Sequence, residues 1–323
     1  MIEGKRIFLT GGAGFIGTSI IKRLLNDNEI IVYDNLSRNS LQHSHFYNHR
    51  NIHIIQGDIL DAAKLTRSIS GCDIVVHLAA IAGIDTVVKS PITTMKVNIL
   101  GSLNVFEAAA GLADVERVID FSTSEVFGSY AYRSEENDST ALGPVGNARW
   151  TYAVGKLAAE HLAYSYHSEK NLPTVSIRPF NVYGPGQVGE GAAHHFIVNA
   201  LQGNDLTIHG DGDQIRSWCY IDDLVDGVML CLQKPEAVGQ SFNIGNPRGT
   251  ITINGLALAV VRATFSKSKI VHVPKEFADV ELRIPNISKA RNLLGYAPKV
   301  DLEAGLKQTA EWYYEKIFQN TTD

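Results

Sequence analysis

Hydrophobic and polar positions along the chain fall into alternating blocks. Short apolar runs closed by turn residues predict strands at 6–10, 30–33, 52–56, 73–78 and 117–121. Between them, apolar residues recurring at helical spacing predict helices that end near Leu25, at 62–70 and at 93–110. Strand and helix in strict alternation make βαβ units, so the first half is an α/β fold with a Rossmann-like, doubly wound parallel sheet covered on both faces. Ligands of such sheets lie beyond the carboxyl ends of the strands. After a polar stretch at 130–149, read as a loop over a pocket, come a helix at 152–167, a strand-like run at 218–221, a strand at 242–245, a helix at 253–265, a short strand at 270–273 and final helices reaching Ile317. The expected division is a dinucleotide-binding domain at 1–180 plus about 214–234, and a smaller, sequence-discontinuous α/β substrate domain at 181–213 and 235–323.

The turn after the first strand carries Gly11, Gly14 and Gly17 in the pattern G-x-x-G-x-x-G. Such spacing tightens the turn, admits a pyrophosphate to the backbone and lets the helix pack closely on the strand. Phe15 and Ile16 open the helix, whose free N–H groups face an anion. The second strand stops at Asp34, about 20 residues on, where a carboxylate accepts both hydroxyls of an adenosine ribose. Asp58 follows the third strand, either capping its turn or meeting the adenine. Leu78 ends the fourth strand, which runs into the small residues Ala79 and Ala80, where a ligand needs room. Asn35, Ile59 and Asn98 complete the expected cofactor-binding set. Asn98 also has a local reading, an internal hydrogen bond that fixes the backbone.

Thr123, Ser124 and Glu125 sit at the end of the fifth strand. Tyr152 and Lys156 are four residues apart, hence on one face of their helix and one turn from each other. An ammonium beside a phenol favours phenolate and brings a base toward neutral pH. Further on, Arg216 offers a rigid fork suited to phosphate oxygens; its bland alternative is a surface salt bridge with Asp222 or Asp223.

Composition narrows the classes. The 323 residues, 45% hydrophobic, suffice for one large domain or two fused ones. A net charge of −5 gives no general basic surface, and no apolar run reaches the length of a membrane span, so neither nucleic acid nor membrane is expected as a partner. The first strand begins almost at the first residue and leaves no room for a signal peptide, which points to the cytoplasm. Cys72, Cys219 and Cys231 are too scattered for a disulfide framework or a zinc site. His43, His45 and His49 lack acidic or thiol partners and read as a solvated loop. The acids Asp211, Asp213, Asp222, Asp223 and Asp226 read as a hairpin turn followed by a helix capped by Asp222, and His194 and His195 as lining a base pocket or solvent, so no metal is expected.

Taken in order, Gly11-x-x-Gly14-x-x-Gly17, Asp34, Asp58, Thr123 and Tyr152-x-x-x-Lys156 resemble the extended short-chain dehydrogenase/reductase superfamily, in its nucleotide-sugar epimerase, dehydratase and decarboxylase branch, over nearly the entire chain. The resemblance implies bound NAD and a nucleotide-diphosphate sugar as substrate. It makes Tyr152 the base for the sugar 4-hydroxyl, Thr123 its hydrogen-bond partner, and Lys156 the holder of the nicotinamide ribose. It also implies a homodimer formed through the helices at 93–110 and 152–167. For the substrate it implies Asn181 and Arg216 at the diphosphate and a wall at 204–208, including Leu206, against the nucleobase. Thr123-Ser124-Glu125, Gly143-Pro144-Val145, Arg149-Trp150-x-Tyr152 and Asp279-Val280-Glu281-x-Arg283-x-Pro285 are similar to UDP-glucuronate decarboxylases, which implies Glu125 and Ser124 at the C5 proton and Arg283 beside the departing carboxylate. A 4-epimerase and a 4,6-dehydratase share the same first step, and a silent NAD or nucleotide-sugar sensor is the alternative from another class.

Overall fold

In the computed structural model, residues 2–274 and 280–319 are described. Five strands come first: β1 (Arg6–Thr10), β2 (Glu29–Asp34), β3 (Ile52–Gln56), β4 (Ile74–His77) and β5 (Arg117–Phe121). They are followed by β6 (Tyr130–Ser134), β7 (Thr174–Pro179), β8 (Val182–Tyr183), β9 (Leu206–His209), β10 (Ile215–Ser217), β11 (Cys219–Tyr220), β12 (Gln240–Ile244), β13 (Thr250–Thr252), β14 (Ile270–Val273) and β15 (Leu282–Pro285). The helices are α1 (Phe15–Leu24), α2 (Ala62–Ile69), α3 (Ile84–Lys89), α4 (Pro91–Met95), α5 (Ser102–Ala110), α6 (Thr151–Lys170), α7 (Ala192–Gln202), α8 (Ile221–Gln233), α9 (Ile253–Thr264), α10 (Ser288–Leu294) and α11 (Leu302–Tyr314).

Seven strands form one sheet in the order β12-β7-β5-β4-β1-β2-β3, parallel throughout. Their runs of β-branched and aliphatic residues are buried on both faces, as a sheet between two helix layers requires. Ile7, Leu9, Val32, Val76 and Ile119 pack with Ile20 of α1 and Leu224 of α8. Phe8, Val75 and Val118 face the other way, toward Leu65 of α2, Phe106 of α5 and Ala163 of α6. The strand order reverses between β1 and β4, and the crevice at their carboxyl ends is the natural ligand site of such a sheet. A smaller part gathers there: a four-stranded sheet β13-β10-β15-β6, the pairs β11-β8 and β14-β9, and the mutually packed helices α7, α9 and α11.

Four sequence expectations are corrected. The helix expected at 93–110 starts at Pro91 and is interrupted by a π-type turn, Lys96–Gly101, between α4 and α5. Residues 240–244, assigned from sequence to the second part, form β12, an edge strand of the large sheet, because their apolar side chains Phe242 and Ile244 are needed in its core. Residues 130–134, read as loop, form β6 and join the small sheet. The acids at 211–213 do not turn a hairpin: β9 pairs β14 and β10 pairs β13 and β15, while α8 begins at Ile221 without a side-chain cap from Asp222.

Candidate active site

The turn between β1 and α1 is built from close backbone approaches. Gly11 has φ +68°, and a Cβ on it would lie 2.6 Å from the Ala79 nitrogen. A Cβ on Gly17 would lie 2.5 Å from the Gly12 carbonyl oxygen. Both positions therefore exclude any side chain, and α1 starts after Gly14 with no side chain capping its first N–H groups. Asp34 at the end of β2 is buried, with its carboxylate accepting from Ala13 N at 3.0 Å and Leu36 N at 2.7 Å. Burial pushes this carboxyl up and the two N–H groups pull it back. A cradle that a Cβ would fill, uncapped helix N–H groups and a fixed acid at the second strand suit a dinucleotide.

Gly11, Gly14, Phe15, Ile16, Gly17 and Leu78 line one end of a cavity of about 410 Å³, whose other end is lined by Thr123, Ser124, Glu125, Arg149, Tyr152, Asn181 and Arg283. The glycine turn and the reactive side chains thus share one cleft. Thr123 ends the strand in extended conformation and its Oγ1 accepts from Glu125 N at 3.2 Å, which starts a short 3₁₀ turn and aims Ser124 and Glu125 inward.

Tyr152 and Lys156 lie one turn apart on α6, as their spacing predicts, Tyr152 half-buried at the cleft and Lys156 buried. Their electrostatics differ from the expectation. The Tyr152 phenol is pushed far above its ordinary range, first by burial and then by the charge of Glu125, with partial relief from a Thr123 hydrogen bond and from Arg283. Arg283 is a cation that lowers the phenol here. Lys156 is itself pushed down by burial, against the pull of Asp120, and its Nζ meets no hydrogen-bond partner among the described residues. A buried ammonium without a partner is a place prepared for a ligand's hydroxyl groups.

Arg149 was not singled out as a site residue from sequence. Its guanidinium donates to both oxygens of Glu125, at 2.6 and 3.1 Å. Arg283 Nη1 stands 3.6 Å from the same carboxylate. Burial raises the Glu125 carboxyl, but the two arginines outweigh it and hold the group below the usual carboxylate range, with a smaller contribution from Arg216. Glu125 is therefore ionised, and three guanidinium groups act on one carboxylate at the reactive end of the cleft. Arg149 and Glu125 are 24 positions apart, and their side chains meet only because α6 folds over β5.

The other expected residues sort by their contacts. Asn98, in the π-type turn, accepts from Ile81 N at 2.9 Å and donates to Ile81 O at 3.1 Å, clamping the segment after β4; the internal hydrogen bond is the reading that holds. Asn35 and Asp58 are exposed and accept from Ser37 N at 3.0 Å and Leu60 N at 2.9 Å, so each shapes its own turn. The Ile59 carbonyl accepts from Asn104. Ala79 and Ala80 follow β4 at the crevice. Asn181 donates to Ser217 O at 3.0 Å while lining the cleft. Arg216 is buried and donates to the Val280 carbonyl at 2.5 Å, and the alternative surface pair with Asp222 or Asp223 does not form. Asp223 instead accepts from Lys299 N and Val300 N. Leu206 is wholly buried in β9, within the core, and does not reach the cleft. His194 is bonded to the Tyr313 hydroxyl at 2.9 Å and His195 to the Gly189 carbonyl at 3.2 Å. Asp279 lies outside the described residues.

Sequence reasoning also missed the brace behind α6. Arg178 of β7 donates to Glu160 of α6 through Nε at 3.0 Å and Nη2 at 2.7 Å, and Glu160 further accepts from Ser122 and Ser241, each at 2.6 Å. Four elements are thereby tied around one buried carboxylate. Nothing in the sequence marked Glu160 and Arg178 as partners.

The sequence model of the NAD dependent epimerase/dehydratase family matches residues 7–245. A UDP-N-acetyl-alpha-D-glucosaminuronate decarboxylase of Bacillus cytotoxicus is 34% identical over 321 residues, covering 96% of this chain and 98% of that protein. UDP-glucuronic acid decarboxylase 4 of Arabidopsis thaliana is 34% identical over 318 residues, covering 97% of this chain and 69% of that protein. Among solved structures, the UDP-glucuronic acid 4-epimerase of Bacillus cereus, in complex with UDP-glucuronic acid and NAD, superposes with a TM-score of 0.85 at 29% identity, covering 97% of this chain and all of that one (100%).

Proposed function

The chain belongs to the NAD dependent epimerase/dehydratase family, and from that premise we propose that it decarboxylates UDP-glucuronate through a transient 4-keto sugar. It is an NAD-dependent enzyme of that family. The observation that carries the reaction is the Glu125 carboxylate held between Arg149 and Arg283 at the Tyr152 end of the cleft. Relatives acting on UDP-linked hexuronic acids support the same choice.

In this reading the Gly11–Gly17 turn, Asp34 and Lys156 hold NAD. When bound, NAD would supply the acceptor for the C4 hydride and the donor that returns it once carbon dioxide has left, with Tyr152 giving its proton back to the C4 oxygen. Tyr152 Oη, whose phenol the positive charge of bound NAD would lower, takes the proton of the sugar 4-hydroxyl, and Thr123 donates a hydrogen bond to that oxygen. The C6 carboxylate is then β to a ketone. When the C5–C6 bond breaks, carbon dioxide departs and the electron pair becomes an enolate whose charge Arg283 stabilises. Because Arg149 keeps Glu125 ionised, its charge disfavours a second carboxylate nearby and favours departure of neutral carbon dioxide. The proton that returns to C5 comes from water held by Ser124 and Glu125. Asn181 and Arg216 serve the diphosphate.

Mass spectrometry of products from UDP-glucuronate, UDP-N-acetylglucosaminuronate, UDP-glucose, GDP-mannose and dTDP-glucose tests the proposal. Loss of carbon dioxide from UDP-glucuronate supports it. Loss of water from a neutral sugar replaces it with a dehydratase, and unchanged mass with altered stereochemistry replaces it with an epimerase.

The exposed apolar side chains Ile92, Met95, Leu100, Val154 and Tyr164 lie on α4, the turn after it and α6, and a second copy of the chain is the partner that such a helical face suits. A homodimer is the expected state, and light scattering at micromolar concentration reads it directly. Free, buried Cys72, Cys219 and Cys231 suit a reducing cytoplasm.

A further inference from the structure

The sheet face covered by α5 and α6 changes character along the strands. Midway it is apolar, with Phe8, Val75 and Val118. A row of polar side chains crosses five adjacent strands, at or near the carboxyl ends of β1, β4 and β5: Thr10, His77, Asp120, Ser176 and Ser241 stand in register. Most of the row is accounted for. His77 bonds Thr10 at 2.7 Å and Ser102 at 2.8 Å, and Ser241 donates to Glu160. Asp120 in the middle is not. It is 0% exposed, and neither carboxylate oxygen meets a hydrogen-bond partner among the described residues. Ser176 lies alongside and favours its charged form without the geometry of a full hydrogen bond.

Above it, Lys156 of α6 is 2% exposed, with Nζ equally unpartnered among the described residues. The two charges act on each other, and that of Lys156 also reaches His77 while that of Asp120 reaches Tyr152. We propose that Asp120 is a positioning residue for Lys156: its carboxylate, fixed in β5, is the counter-charge that keeps the buried ammonium charged and in place beside Tyr152, so that NAD binding is coupled to loss of a proton from Asp120.

The surroundings leave this role to Asp120. From β4 it is faced by His77, which burial and Lys156 hold neutral. From β7 comes the uncharged Ser176, and from α6 come Lys156 and Glu160, the latter neutralised by Arg178. An uncompensated ammonium in this site sheds its proton or moves toward water. Burial pushes the Asp120 carboxyl up to about 7, with Lys156 drawing it down and Glu160 raising it, so the pair changes state in the neutral range.

The test is calorimetric binding of NAD to the NAD-free protein from acid to alkaline pH, in two buffers of different ionisation enthalpy, for wild type and Asp120→Asn. In the wild type, binding releases no proton at alkaline pH; release rises toward one proton per NAD as pH falls through the neutral range, and affinity then falls by up to about tenfold per pH unit. Asp120→Asn binds more weakly at alkaline pH and shows neither proton release nor that slope. A residue that merely filled space would lower the melting temperature of the variant and leave the proton count unchanged. Superimposable pH profiles for the two proteins overturn the proposal. If Asp120→Asn does not fold, the wild-type measurement decides alone: binding without proton release below neutral pH overturns it. Because NAD is the only ligand used, the outcome is independent of which sugar the enzyme converts.

Discussion

Glu190 reaches across the mouth of the cleft to Arg38, with 3.6 Å between Oε1 and Nη2, while its carboxylate also accepts from Asp85 N at 3.1 Å and the Thr86 hydroxyl at 2.9 Å. Arg38 lines the cleft beside Gly14 and is the cation nearest in sequence to Asp34, so it is the residue that would greet a 2′-phosphate. In the wild type it is already paired, and Asp34 repels the same phosphate. NAD is therefore preferred on two counts.

Glu190→Gln frees Arg38 and should strengthen NADP binding by about threefold to fivefold, the effect expected of a half-exposed pair, with NAD binding little changed. Dinucleotide titrations of both proteins check it. No change in the NADP to NAD ratio would mean that Asp34 alone sets the preference.

Tyr152→Phe keeps the ring packing and removes the proton acceptor, so turnover should fall at least about 10²-fold while nucleotide-sugar binding survives. The structure adds a condition on pH. Burial and the Glu125 charge raise the phenol, so in the protein free of NAD the difference spectrum between wild type and Tyr152→Phe should show no phenolate at neutral pH. A phenolate band there would contradict the electrostatics of the cleft. Lys156→Met should weaken both NAD binding and turnover.

The parts of the site legible in the sequence are those whose chemistry is local. Gly11, Gly14 and Gly17 fall within one turn, and Tyr152 and Lys156 within one turn of helix, so spacing alone places them. Asn98 was legible only as an alternative, because its partner Ile81 lies 17 positions away in a segment with no pattern of its own. Arg149 against Glu125, Arg178 against Glu160, and Asp120 beneath Lys156 were not legible. Each brings together charges from segments distant in sequence, and Asp120, Glu160 and Arg178 carry theirs into the packed interior of strands or a helix, where periodicity predicts apolar residues. The strand at 242–245 was legible but its place in the large sheet was not, for a related reason: its neighbour there, β7, is 65 positions away by register, Gln240 against Val175.

The brace behind α6 carries the last prediction. Glu160 and Arg178 have side chains 8% and 7% exposed, and four hydrogen-bonding groups converge on the carboxylate. Removing the charge strands the guanidinium in the core, so Glu160→Gln should destabilise the fold by about 3 kcal/mol, the scale of a broken buried pair. The sign with pH follows from the same group. Burial raises the Glu160 carboxyl, but Arg178, Ser122 and Ser241 outweigh it and leave the folded-state pKa below the unfolded one. Its contribution is then fully present above the ordinary glutamate range and is lost as pH falls through the depressed folded value. Urea melts from neutral to acid pH check both statements. The wild type should lose its advantage over Glu160→Gln as the solution becomes acidic, and a constant gap across that range would show that the pair is not what braces α6 against the sheet.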